Sequence, residues 1–180
     1  EFMKATGASR EFAGSISGLT QDVRAFGASS KEVSAAMQSL FATTTDFTMM
    51  SRQTRDEMVR NSAALAALGV SNEDFARGSQ IAIKAMGQTG IQAATTQREI
   101  AALAMDIGVA PQQMAADFAT AGPQLAKFGS DGVRAFKDLA IAAKVTGIEV
   151  GRLLSITEKF DTFEGAATAA GKLNAALGGN

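Results

Sequence analysis

The segment Leu68-Gly-Val-Ser-Asn-Glu-Asp-Phe75 returns further along the chain in similar form as Ile107-Gly-Val-Ala-Pro-Gln-Gln-Met114. These segments contain Gly69 and Gly108, and a third glycine, Gly147, also precedes an apolar residue. The three glycines recur at equal intervals of about 39 residues. Each of these glycines opens a new segment with helical apolar periodicity, and an apolar residue stands six positions after it. A fixed period of this length is typical of helix–turn–helix units that stack on one another. The repeat therefore predicts an all-α array.

Each unit is predicted to be two helices joined by a turn. Capping patterns and a proline mark the helix starts, namely Ser29-x-x-Glu32, Ser71 or Asn72, Thr96-x-x-Glu99, Pro111, and Ser130 or Asp131. Glycines mark the ends, where a left-handed residue is needed: Gly87, Gly90, Gly129, Gly147 and Gly178. No alternating β-branched run is long enough to predict a strand. The predicted helices are 30–44, 52–68, 72–86, 95–107, 111–127, 131–145, 148–160 and 162–177.

These helices divide the chain into a leading helix and about four helical hairpins of roughly 39 residues each. The leading amphipathic helix covers 1–27, and the hairpins cover 28–68, 69–107, 108–146 and 147–180. We expect the chain to be a piece of a longer protein, with the fourth hairpin continuing beyond it.

The leading helix carries a heptad seam of apolar residues. Its members step by 4, 3, 4 and 3 residues, the spacing of a coiled coil, and they are Phe12, Ile16, Leu19, Val23 and Phe26. Gly14 and Gly18 lie beside the seam and would let another helix approach closely. Two interpretations stay open: the helix packs on the first hairpin, or it self-associates around a symmetry axis.

The composition excludes most kinds of chemistry. The chain has no Cys and no His, so it holds no thiolate or imidazole for catalysis or zinc binding. With 17 basic and 18 acidic residues spread along the chain, no block is basic enough for a nucleic-acid partner. No uncharged apolar stretch reaches the roughly 18 residues of a membrane span. The 36 alanines and 18 glycines instead favour helices that pack at close range. We expect no enzymatic activity, no metal and no cofactor.

The two repeated segments resemble those of tail tape measure proteins from long-tailed bacteriophages. The stretch Phe160-Asp-Thr-Phe-Glu-Gly-Ala-Ala, which runs on to Gly171-Lys-Leu-Asn-Ala-Ala-Leu-Gly178, is similar to them as well. The resemblance covers about 30–180 and includes no catalytic signature. It implies a virion protein, made in the host cytoplasm, that lies in several copies in the lumen of the tail tube and sets tail length. Its implied partners are copies of itself, the tail tube and the baseplate hub or tail-tip proteins, and it is released when the genome is delivered.

The glycine spacing does not fit a protein that sets tail length as one continuous helix. A continuous helix of 180 residues would span about 270 Å, but helix-ending residues about every 20 positions fold that length back on itself. We therefore expect a packed end module near the baseplate rather than part of the extended shaft.

Two other classes of function stay open. One is a peptidoglycan-cleaving glycosidase fragment that uses Glu158 or Glu164, because two suitably separated carboxylates can hydrolyse a glycosidic bond. The other is a helical-repeat adaptor for a cellular partner. Such arrays need polar end caps for solubility, whereas the final unit here ends in the apolar run Ala175-Ala-Leu177, which favours a chain that continues.

Overall fold

The computed structural model describes residues 18–21 and 29–153, and all regular structure within them is helical. The all-α prediction is confirmed. After a helical turn at 18–21, the helices are α1 (Ser30–Thr43), α2 (Arg52–Ala66), α3 (Asn72–Lys84), α4 (Gly90–Asp106), α5 (Pro111–Leu125) and α6 (Gly132–Thr146). Two 3₁₀ segments, Phe47–Met49 and Ala126–Asp131, stand before α2 and α6. A further helix has begun at 150–153.

Side-chain caps and a proline set the starts of five helices. Ser29 and Glu32 form a complete capping box on α1, as the sequence predicts. Ser51 and Ser71 accept hydrogen bonds from the backbone N–H groups of the first turns of α2 and α3. Pro111 occupies the first turn of α5, where its missing N–H leaves no helical bond unmade.

The repeated glycines end one helix and orient the next. Gly69, Gly108 and Gly147 all have positive φ, at 87°, 67° and 69°. After Gly69, the N–H of Val70 donates to the carbonyl of Leu65 at 3.1 Å, and after Gly108 the same six-residue bond forms at 2.7 Å. These are Schellman closures, which satisfy free carbonyls at a helix end and need a residue without Cβ penalty at the left-handed position. Gly87 and Gly129 also have positive φ, as predicted.

The predicted start of α4 is wrong. The helix begins at Gly90 instead of 95, because Thr89 and Gln92 form its capping box and Thr96 lies inside it. Gly90 is accordingly not among the described left-handed glycines. Its missing Cβ serves close approach instead, since a Cβ there would lie 2.7 Å from Thr54 Cγ2 and 3.0 Å from Met58 Sδ. The remaining prediction of this kind, Gly178, lies outside the described residues.

In the first unit, which covers 1–137, helices pack both on the next helix in sequence and on the helix after it. Helix α1 packs against α2 and α3, α3 against α4 and α5, and α2 against α4. Helices two apart in sequence therefore lie side by side, as they do when helical hairpins stack. A hydrophobic core runs through this unit and includes Val33, Leu40, Phe47, Val59 and Phe75.

The second unit covers 138–180 and is described as far as 153. It contains the last turns of α6, the left-handed Gly147 and the start of the next helix, where the N–H of Leu153 donates to the carbonyl of Glu149 at 3.1 Å. On α6 the hydroxyl of Thr146 donates to the carbonyl of Ala142 at 2.7 Å.

Candidate functional site: the interior of the helix pairs

The predicted interface residues of the leading helix fall mostly outside the described residues. Phe12, Ile16, Val23 and Phe26 lie there, so their role stays a prediction. Leu19 is described and is 3% exposed, as a member of the hydrophobic core that also contains Val33 and Met37 of α1. Leu19 therefore contributes to the core of its own chain.

The candidate carboxylates of the glycosidase alternative, Glu158 and Glu164, also lie outside the described residues. Within the described part of the chain, no group of three or more His, Cys, Asp or Glu side chains could hold a metal ion. The described helices also include none that is long and apolar enough to cross a membrane.

The densest charged stretch, on α2, has both exposed and structural members. Arg52 pairs with Asp56 at 3.5 Å, and Arg60 pairs with Glu57 at 2.5 Å. Arg55 is instead buried and donates to the backbone carbonyls of Met50 and Thr48, at 2.8 and 3.2 Å. The guanidinium thus holds the turn before α2, which is a structural role for a charge in this stretch.

Equivalent positions of the helix pairs can be counted from their caps. Eight residues after the N-caps of α1, α3 and α5 stand Met37, Ser79 and Phe118. Eleven residues before the left-handed glycines that follow α2, α4 and α6 stand Met58, Gln97 and Phe136. All six side chains are at most 1% exposed. We call α1–α2, α3–α4 and α5–α6 the first, second and third helix pairs, and these two positions the central positions of each pair.

In the first and third pairs, the central positions hold large apolar side chains. The rings of Phe118 and Phe136 lie 5.0 Å apart in an edge-to-face arrangement, so the two positions meet across the third pair. Met37 and Met58 belong to one hydrophobic core in the first pair. The centre of each of these two pairs is therefore apolar.

The second pair differs, because both of its central positions are polar. The Ser79 hydroxyl and both polar atoms of the Gln97 amide are buried without a hydrogen-bond partner among the described residues. Gly78 makes room for the amide, since a Cβ at this residue would lie 2.3 Å from Gln97 Nε2 and 3.1 Å from Phe118 Cδ1. We refer to Ser79 and Gln97 as the polar pair.

Other buried polar groups of the helices do find partners. On α2, the amide nitrogen of Asn61 donates to the Glu57 carbonyl at 2.7 Å, and the Ser62 hydroxyl donates to Asn72 Oδ1 at 2.8 Å. On α4, the Thr96 hydroxyl donates to Gln88 Oε1 at 3.0 Å. The polar pair therefore differs from these described groups, and buried polar groups without partners are rare in proteins.

The remaining unpartnered buried atoms lie at less confined places. Thr44 stands just after the end of α1, while Asp56 and Gln124 are only partly buried side chains. None of these occupies a central position.

The polar pair was not predicted from the sequence, although a signal for it is present. The predicted repeat depends on the glycines and on the residues six positions after them. The same interval of about 39 residues makes Gln97 the equivalent of Met58 and Phe136, and Ser79 the equivalent of Phe118. The burial of these positions could not be inferred from the glycines alone.

One ionisable group of the described residues has a clearly shifted pKa. The backbone N–H of Ser29 donates to Glu32 Oε2 at 2.5 Å, and this bond, with a smaller contribution from the Ser29 hydroxyl, lowers the pKa of Glu32 below its ordinary value. The effect belongs to the capping box of α1 and is structural.

Several large apolar side chains are exposed. Ile141, Val145 and Ile148, spaced by four and three residues in the second unit, are 44%, 81% and 37% exposed. In the first unit, the exposed members are Met49, Leu68, Ile91, Met105 and Phe128. The first set forms an apolar stripe around the end of α6.

Comparisons of the chain with protein-family models, with curated proteins and with solved structures give no match.

Proposed function

We propose that this chain is a non-enzymatic structural segment of a tape measure protein from a long-tailed bacteriophage. In this proposal it has a leading heptad helix and about four hairpins of one period each, and it acts as a packed module near the baseplate or tail tip. It assembles with copies of itself and with tube and hub proteins in the virion, and leaves the tail during genome delivery.

The observation that carries the proposal is the structure of the two repeated segments that resemble the family. Both are connections between helices, with Gly69 and Gly108 left-handed and each closed by a Schellman bond. At these points the chain folds back, so that α3 packs on α1 and α5 packs on α3. A folded-back chain is shorter than a continuous helix, which favours a packed module over a measuring shaft.

Small residues at helix contacts support an assembly role within this proposal. Ala36, Ala76, Ala94 and Ala104 are fully buried, and Gly122 lies so close to Ile81 that a Cβ would be 2.1 Å from Ile81 Cδ1. Such faces let helices approach closely without long side chains between them. The same chemistry would serve contacts between copies.

The decisive test removes one period from the full-length gene in the genome that encodes it. Deleting 69–107 takes out one complete repeat and joins Leu68 to Gly108, so each remaining helix keeps an equivalent neighbour. Tail length, measured by electron microscopy, is expected to stay unchanged. A tail shorter by about 59 Å, the length of one period as a continuous helix, would place the segment in the shaft. Absence of the protein from purified tails would contradict the tape measure proposal itself.

Self-association is tested on the leading helix of the purified chain. Because Leu19 is buried in the core of its own chain, Leu19→Ala would lower stability whatever the seam does. Ile16→Ala is therefore the main variant, with Leu19→Ala as the comparison. Sedimentation is expected to show a smaller assembly for Ile16→Ala, and an unchanged oligomer in both variants would assign the seam to intramolecular packing.

A cellular helical-repeat adaptor is the second candidate, because stacked helix pairs are the architecture of such proteins. The tail preparation also separates this candidate, since an adaptor would be found in cells but not in purified virions. The glycosidase alternative is tested by a peptidoglycan zymogram with Glu158→Gln as the control. Lysis by the parent chain that is lost in this variant would favour an enzyme.

A further inference from the structure

The second pair carries, at its central positions, an energetic cost that the central positions of the other two pairs lack. Burying a polar atom without a partner forfeits its hydrogen bonds to water, and the loss is recovered when the group is hydrated again. Ser79 and Gln97 bring three such atoms to the central positions of the second pair. In the first and third pairs, the same positions hold methionine or phenylalanine, for which opening exposes apolar surface to water.

We propose that the polar pair is a conformational device that makes the α3–α4 contact the first of the described helix pairs to open. When α3 moves away from α4, the Gln97 amide, which lies against Gly78 of α3, gains water as a partner, and loosening of α3 hydrates the buried Ser79 hydroxyl in the same way. Opening the third pair instead separates the Phe118 and Phe136 rings with no compensating hydration. The free energy of opening is therefore lowest in the middle of the array.

The surroundings of Gln97 are consistent with a tolerated polar group rather than a specific internal bond. Its amide lies over the backbone of Gly78 and beside the Phe118 ring, and neither Gly78, which has no side chain, nor the Phe118 side chain can supply a strong hydrogen-bond partner. Gly78 further lowers the local helical preference of α3, because glycine is unfavourable inside a helix. Both features weaken the same contact.

The connection between the two helices permits such movement. It consists of a few residues around Gly87, which has φ of 70° and no atom within 4 Å of a Cβ built on it. The N–H of Gln88 donates to the Ala82 carbonyl at 3.1 Å. Apart from its chain neighbours, no atom of the described residues therefore packs where a Gly87 Cβ would lie, and the connection is held by this bond and the Thr96–Gln88 bond.

Amide hydrogen exchange of the intact chain tests the proposal. Backbone amides in the middle of α3 and α4 are expected to exchange at least tenfold faster than equivalent amides of α1 and α2. Gln97→Met, which copies the first pair, is expected to slow exchange in α3 and α4 at least tenfold, equivalent to about 1.4 kcal/mol. Met58→Leu is the matched control, a volume-conserving change at the equivalent position that leaves the exchange pattern unchanged.

A second variant protects the test against a packing failure. Ser79→Ala removes a buried hydroxyl and adds no volume, so it is expected to slow exchange in α3 and α4 even if Gln97→Met does not fold. The proposal is overturned if wild-type α3 and α4 exchange no faster than α1 and α2. It is also overturned if Ser79→Ala leaves exchange unchanged or accelerates it, since the hydroxyl would then have a stabilising partner.

Discussion

The second and third helix pairs have the same backbone plan and opposite interiors. Both begin their first helix directly after a Schellman connection, and their central positions are equally buried. In the third pair these positions hold Phe118 and Phe136 in ring contact, whereas in the second pair they hold Ser79 and Gln97, whose polar side-chain atoms have no hydrogen-bond partner in the described part of the chain. The connections therefore define the repeat, while the central side chains determine the free energy of opening of each pair.

The largest expected effect comes from breaking the apolar contact of the third pair. Phe118→Ala removes a fully buried ring that packs on Phe136 and lies close to Gly78. Loss of such a ring costs about 3–5 kcal/mol in the free energy of unfolding. Urea denaturation followed by circular dichroism measures this change. A loss below about 1 kcal/mol would mean that the contact does not hold the third pair closed.

The next prediction transfers the polar chemistry of the second pair into the first. Met58→Gln places an amide at a position that is 0% exposed, and we expect about 1–3 kcal/mol of destabilisation. Hydrogen exchange should then accelerate in α1 and α2 toward the rate of α3 and α4. If exchange rises equally along the whole chain, the pairs open together and do not differ in their free energies of opening.

Alanine is expected to cost the same stability at the two Schellman connections, even though the interiors of the helix pairs differ. Gly69→Ala and Gly108→Ala each force a side chain into a left-handed conformation, at a cost of about 1–2 kcal/mol. Gly151→Ala is the control, because this glycine lies in a helical turn and a Cβ built on it meets no other atom of the described residues within 4 Å. It should stabilise the chain by roughly 0.5–1 kcal/mol. Thermal melting of the three variants compares these costs, and clearly unequal losses at Gly69 and Gly108 would refute the equivalence.

The smallest expected effect is a difference between two capping boxes in how their contribution to stability depends on pH. The box on α1 uses Glu32, while the box on α4 uses Gln92, which does not ionise. Because the Ser29 N–H lowers the pKa of Glu32 in the folded chain, its contribution is complete above the unfolded pKa near 4.5. This contribution is lost as the pH falls through the lower, folded pKa. Glu32→Gln should reduce the pH dependence of stability below about pH 5, and Gln92→Ala should leave it unchanged.

Local sequence rules predicted much of the helical arrangement. The capping box at Ser29, the proline at 111 and the left-handed Gly87 and Gly147 were all predicted, because each depends on bonds made within a few residues. The start of α4 was predicted wrongly since two capping patterns, at Thr89 and at Thr96, compete over a short stretch. Gly90 resolves the competition through its close approach to Met58, which is a tertiary contact.

The interior of the array was less predictable. Ser79 and Gln97 are residue types that usually face water, and neither belongs to a motif that suggests burial. Their burial follows from the packing of α3 against α1, α4 and α5. Leu19 is a similar case, because its heptad spacing fits either an intermolecular seam or the core of its own chain, and the structure places its side chain in that core.

By itself the sequence determined that the chain is helical and where it turns back, because regularly spaced glycines and local capping patterns act through short-range bonds. Only the tertiary structure decided which side chains meet at the centre of each pair. That choice depends on helices brought together from distant parts of the chain, and it buries the polar pair without a hydrogen-bond partner among the described residues.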